Sequence, residues 1–358
     1  MEIPQSKYLS TRCLNRVFNN TVATFKYYWF LGILDLVVIQ RKTHMNVWDI
    51  MISMVVNAWF PVNYFRLSFG KSDSLFNAIL ILQKEKNIPI NISTNQLMDI
   101  LKNMVDEPEF KRLFSFLKEN VPYWFLSPWF PQKTKTEIVT LSQTFENGCL
   151  YKIEKNNSMM QLELSPIWLS YLQENYTILR DFAYWNLTLF LQIRNPNVPN
   201  IPNKLIKSEV RNSLSNQRTF WNSVIHANNQ VNCIYTGRKL EINHYDLDHF
   251  IPWSFVSHDL LWNLMPADSS INCSKNNKLP NLQEYLPKLA LAHHAALKTY
   301  LKLGKNSKIL EDYLSFGHTA QELAGMDFEH LYDCYEQTFI PMNQIALNMG
   351  FESWKNTK

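Results

Sequence analysis

Cysteine is scarce and unpatterned: the 358 residues contain five, scattered without the spacing of a disulfide framework, which points to a reducing compartment. Long apolar runs are missing as well. The most apolar stretch, YYWFLGILDLVVI at 27 to 39, has 13 residues and contains Asp35, too short and too costly for a bilayer span, so no membrane partner is expected. The opening MEIPQSKYLSTRC lacks the apolar core of a secretory leader, and a cytoplasmic location is expected. Charge of one sign is also lacking. A formal net charge of +4 makes no basic coat for nucleic acid, so any such binding must come from local patches. There is no internal repeat, no phosphate-binding P-loop and no GxSxG element. A hydrophobic share of 46% and an aromatic share of 14% remain, ample for sizeable cores. The length implies about two domains.

Apolar residues recur at helical spacing through 10–40, read as one helix or two consecutive ones, and again at 46–58, 73–84, 94–104 and 108–119. Ser, Thr and Asn are available as N-caps from Ser93 onward. VPYWFLSPWFP, 121–131, reads as Pro-bearing aromatic loops that end this series. CLYKIE (149–154) and MQLEL (160–164) alternate around the turn-prone KNNS and predict a hairpin. A helical block over 166–192 starts at Pro166. RNPNVPNIPNKL, 194–205, then reads as an extended linker. The expected organisation is a helical domain over 1–194, a linker at 195–205 and a second domain over 206–358 with its core at 231–280. An amphipathic helix is predicted at 204–226, where Lys204, Lys207, Arg211 and Arg218 form a stripe, either solvated or tracking phosphates. Helices are expected from about 282 to 349, with His293 and His294 in packing roles because neither has an i,i+4 ligand companion.

The most informative stretch is LDHFIPWSFVSHDLLWNLMPADSSINCSKNNKLP, 247–280. It places Asp248 beside His249, Asn263 fourteen positions after the His, and Asn272 nine positions further on. Phosphodiester hydrolysis needs a deprotonated water, a cation for the charge developing on phosphate and in-line placement of the leaving oxygen. A neutral imidazole can take the proton near neutral pH, while carboxylate and amide oxygens suit a hard cation. Adjacent strand side chains point to opposite faces, so Asp248 and His249 can share a site only at a strand end or bulge. Pro252, which forbids continued ladder pairing, favours that.

Together with C-I-Y-T-G at 233–237, L-W-N-L-M-P at 261–266 and I-N-x-x-K at 271–275, the stretch resembles the metal-binding core of HNH endonucleases. Its spacing is nearest to that of RNA-guided CRISPR nucleases and related bacterial HNH proteins. The resemblance implies a mainly α chain with a small α+β module: a helical N-terminal domain with a short β-hairpin, then a ββα-metal core flanked by helices. It implies His249 as general base and Asp248 and Asn272 as ligands of one Mg²⁺, with Mn²⁺ able to substitute. Asn263 would brace the loop behind the His. Asn276, four residues after Asn272 and so expected on the same helix face, is a rival or additional ligand. Arg238, Lys239, Lys275 and Lys278, with Lys207 and Arg211 of the stripe, are the candidate phosphate contacts. His244, Asp246, His258 and Asp268 match no family role and read as turn or surface residues.

Many HNH domains carry a structural zinc on paired C-x-x-C knuckles. Here Thr236 stands where the partner of Cys233 would be and Cys273 has no companion, so no structural zinc is expected. The implied function is hydrolysis of DNA, RNA being the lesser candidate, to 5′-phosphate and 3′-hydroxyl ends, in defence against foreign DNA. Two alternatives stay open: a catalytically silent nucleic-acid-binding module, or an effector subunit active only with a protein partner engaged through the N-terminal domain.

Overall fold

A computed structural model describes residues 2–156, 159–206, 213–228, 231–305 and 307–355. The chain divides into two compact units, Met1–Pro196 with Ile201–Lys207, and Asn197–Asn200 with Ser208–Lys358. Both are mainly helical with small antiparallel sheets. No helix among the described residues is long and apolar enough to cross a membrane.

The first unit is organised round its most apolar segment. After α1 (Arg12–Asn15) comes α2 (Phe25–Leu34), buried continuously from Lys26 to Leu34, as a helix apolar on all sides must be. A π-helical turn, Asp35–Ile39, ends it, so the stretch 10–40, read as one helix or two consecutive ones, is three pieces. Against α2 packs α3 (Val47–Trp59), and Gly32 permits the approach. A Cβ on Gly32 would meet Ile50 Cγ2 at 3.0 Å and the Ile50 carbonyl oxygen at 3.2 Å. Then follow α4 (Ser74–Glu85), α5 (Thr94–Met104) and α6 (Pro108–Lys118). Side chains of Asn46, Asp73 and Ser93 accept the first free N–H groups of α3, α4 and α5.

The aromatic stretch at 121–131 departs from expectation, because it opens with a helix, α7 (Val121–Phe125). Pro122 sits in its first turn, where the missing N–H has no intrahelical acceptor to lose. The next helix, α8 (Lys135–Ser142), was not read from the sequence; a capping box between Thr134 and Glu137 starts it. The predicted hairpin forms as β2 (Tyr151–Asn156) and β3 (Met159–Leu164). A third strand too short to read, β1 (His44–Asn46), pairs with β3 and puts Met45 opposite Leu162. The unit ends with α9 (Pro166–Glu174) and α10 (Tyr176–Arg194).

The stretch expected to be an extended linker is tied down. Asn195 exchanges two hydrogen bonds with the backbone of Ser68, and Ile201–Lys204 forms a 3₁₀ turn with Ile201, Lys204 and Leu205 buried. Pro and Asn favour turns as much as extension, which is why composition misleads here. Lys204 therefore leaves the basic stripe: the helix α11 begins later (Ser215–Asn228), and Lys204 lies buried before it. Lys207 and Arg211 lie outside the described residues. Arg218 donates to the Tyr245 carbonyl at 3.2 Å and covers the Tyr245 ring.

In the second unit β4 (Asp246–His249) pairs antiparallel with β5 (Leu264–Ala267), joined by a loop containing the short α12 (Trp253–Val256). α13 (Ser269–Lys275) follows, so the predicted ββα order is present. Around it pack α11, α14 (Leu282–Lys302), α15 (Ala320–Gly325) and α16 (Phe328–Asn348). Trp221 of α11 donates to the Leu264 carbonyl at 3.2 Å and fixes the hairpin to the helical layer. Leu279, just past α13, donates to the Glu352 carbonyl at 2.8 Å and accepts from the Trp354 N–H at 2.7 Å.

His293 of α14 has the expected packing role: it is fully buried, with Nδ1 2.6 Å from the Tyr313 hydroxyl. Burial pushes its pKa from 6.5 down to about 3. Between those values the unfolded chain holds a proton at this residue that the folded chain does not. Stability of the second unit is therefore complete above about pH 6.5 and falls toward pH 3, this group contributing at most about 1.4 kcal/mol per pH unit. Urea unfolding followed from pH 7 to 4 should show a shallower acid loss in His293→Phe than in wild type; equal slopes would refute the assignment.

Candidate active site

His249 is the last residue of β4, opposite Leu264, and Asp248 stands opposite Met265. Past His249 one further hydrogen bond follows in register, from the Phe250 N–H to the Asn263 carbonyl at 2.8 Å, before the strands part. Because the strand ends here, neighbouring side chains escape the alternation of faces. Asp248 and His249 line one cleft of about 390 Å³ with Leu247, Pro252, Asn272 and Asn276.

Asn263 is fully buried and makes its side-chain bonds with one residue: its Oδ1 accepts from the Ile251 N–H and its Nδ2 donates to the Ile251 carbonyl, both at 2.9 Å. It closes the loop behind His249 and is itself enclosed by the surrounding core.

The imidazole has a partner that was not read from the sequence. His249 Nε2 lies 2.9 Å from Asp259 Oδ1. A carboxylate only accepts, so Nε2 carries the shared proton, and in the neutral form of the ring the lone pair is on Nδ1. Asp259 is itself located: Gln217 of α11 donates to its carbonyl at 2.8 Å, and two residues on, the Leu261 N–H donates to Asp312 at 2.7 Å. Ten positions separate His249 from Asp259 in a loop, a relation that no periodic rule predicts.

Asp248 is 3% exposed and both its oxygens are engaged. Oδ2 accepts from the Tyr235 hydroxyl at 2.7 Å and Oδ1 from Lys275 Nζ at 2.9 Å. The same ammonium donates to the His249 carbonyl at 2.6 Å. Lys275 is fully buried, which corrects the expectation of a phosphate contact: at the last position of α13 its side chain turns under the helix to Asp248 and away from solvent. Tyr235, from the quoted C-I-Y-T-G element, packs edge-on against Tyr285 and Trp354, and burial beside Asp248 pushes its pKa well above the usual value.

Asn272 lies on α13 as expected, its Nδ2 3.3 Å from Asp246 Oδ2. Asp246, read as a turn or surface residue, thus orients the amide. Asn276 departs from expectation, because α13 ends at Lys275 and Asn276 has φ 44° and ψ −125°, outside the helical region. The i,i+4 argument fails there, yet the turn still puts Asn276 at the cleft. Asp268 caps α13 by accepting from the Ser270 N–H at 3.0 Å. Arg238, Lys239 and Lys278 are exposed, Arg238 being 3.4 Å from Asp268.

Among the described residues no three His, Cys, Asp or Glu side chains gather to hold a metal. A cation at this cleft would rest on one carboxylate and on amide oxygens, a hard donor set that suits Mg²⁺ retaining several waters. Capacity remains on Asp248, since each oxygen accepts one hydrogen bond and a carboxylate has about four acceptor positions. The residues present fit such an ion.

Residues 233–281 match the HNH endonuclease family. No curated protein and no solved structure matches the chain.

Two outcomes follow from this geometry. Asn263→Ala strands the Ile251 N–H and carbonyl and should destabilise the second unit by about 3 kcal/mol in denaturant unfolding; a loss under about 1 kcal/mol would refute the brace. Asp259→Asn can donate to Nε2 and favours the other tautomer, so turnover should fall about a hundredfold or more with KM little changed. Unchanged turnover would remove Asp259 from the site.

Proposed function

We propose, from the HNH endonuclease match over 233–281, that this chain is a divalent-metal-dependent nuclease that hydrolyses DNA phosphodiesters. The observation carrying the reading is that Asp248, His249 and Asn272 share one cleft while Asp259 holds the far nitrogen of the imidazole. His249 Nδ1 takes a proton from a water, and that water oxygen attacks phosphorus. The bond to the 3′ oxygen breaks, and that oxygen takes a proton from solvent, leaving 5′-phosphate and 3′-hydroxyl ends. Asp259 steadies the imidazolium as it forms, which keeps the ring in place through the transfer. Asp248 and Asn272, with Asn276 beside them, would hold Mg²⁺ or Mn²⁺, which when bound stabilises charge on the phosphate and the leaving oxygen.

Exposed Arg238, Lys239 and Lys278 are proposed contacts to phosphates flanking the break, where each would act as a sequence-independent anchor. The first unit is read as the part that recognises DNA or a licensing protein partner, and cleavage of foreign DNA as the role in the cell.

Plasmid, single-stranded DNA and RNA incubated with purified protein in Mg²⁺, Mn²⁺ or EDTA test the reading. Cutting should require the metal, and His249→Ala should slow it by about 10²- to 10⁴-fold. Identical behaviour of wild type and His249→Ala on every substrate, with or without a candidate partner, would overturn it.

A further inference from the structure

Lys275 is a fully buried cation bonded to the carboxylate proposed as the metal's charged ligand. Its ammonium also holds the His249 backbone carbonyl, so it is locked to both members of the Asp-His pair. The other oxygen of Asp248 is held by Tyr235, and among the described residues Asp248 is the one carboxylate lining the cleft, whose other polar walls include His249, Asn272 and Asn276. The charge of that carboxylate is thus already compensated within the protein, and a divalent cation arriving alone gains little from it. Buried charges require a partner, and here the partner is built in.

We infer that Lys275 is the resident counter-ion of Asp248, and that it makes cation binding and nucleic-acid binding cooperative. The free protein binds the divalent ion weakly, and the ion is retained when a phosphate in the cleft supplies the missing negative charge. The inference rests on the nuclease reading and adds an order of assembly to it. A scissile phosphate and its metal would load together, so the protein without nucleic acid is mostly unloaded at ordinary metal concentrations.

The test is calorimetric titration of the full chain with MnCl₂ in the absence of nucleic acid, with thermal unfolding in parallel. Lys275→Gln keeps a neutral donor for Asp248 while removing the charge, and should bind Mn²⁺ at least about tenfold more tightly than wild type. Lys275→Met leaves Asp248 without its counter-ion, and should unfold at lower temperature than wild type without metal and recover more on adding Mn²⁺. A DNA duplex added to the His249→Ala chain, which leaves Lys275 in place, should strengthen Mn²⁺ binding by a larger factor than it does in the His249→Ala, Lys275→Gln double variant. Equal or weaker Mn²⁺ binding by Lys275→Gln, or equal enhancement by DNA in both backgrounds, would overturn the inference and leave the nuclease reading standing. Mn²⁺ binding undiminished in Asp248→Asn would instead move the metal away from this cleft and sink the active-site reading itself.

Discussion

The buried pair of Asp248 and Lys275 is the constraint on which the second unit turns. Removing two charges from water costs several kcal/mol each, and the attraction between them offsets that only when geometry is good and remaining bonding capacity is used. Here Tyr235 takes the second carboxylate oxygen and the His249 carbonyl takes a further ammonium proton. Those bonds reach into three places: the element at 233–237, the end of β4 and the last turn of α13. Satisfying one ion pair therefore fixes the relative placement of strand, helix and preceding loop.

A second layer of control comes from backbone bonds around the imidazole. Asn263 fixes Ile251, Gln217 and Asp312 fix the segment around Asp259, and Asp259 fixes the ring. Each link is a neutral or charge-assisted hydrogen bond made within the protein, so the imidazole is presented ready oriented. Such preorganisation is where enzymes gain most over water, because little has to rearrange as the reaction proceeds.

The ββα order, the strand end at His249, the brace role of Asn263 and the place of Asn272 on the helix could be read from residue types and spacing. They are local features, each set by a few neighbouring residues. The partners of those residues were not legible, because Tyr235, Asp259 and Lys275 reach Asp248 and His249 through tertiary folding across 13, 10 and 26 positions or more. Lys275 shows the difficulty well. On a helical wheel it is a surface lysine near phosphates, and only the length of its side chain and the helix end place it inside. In the first unit the capped helices and the hairpin were readable for the same reason, whereas β1 is three residues long and carries no periodic signal. Composition failed at 195–205 because it scores Pro and Asn as linker without knowing that Asn195 would find the Ser68 backbone.

The pairing of Leu279 with residues 352–354 has a bearing on how the protein comes into being. Trp354 supplies one wall of the packing round Tyr235, the residue that grips Asp248. That contact joins positions 119 apart in the chain, a long loop to close. As the polypeptide emerges from the ribosome, the hairpin and α13 are made well before the segment that packs behind them. A nascent chain halted before Trp354 carries every residue of the HNH match and still lacks the support beneath Asp248. Synthesis of the motif thus runs ahead of the packing behind Asp248, which waits for residues 352–354.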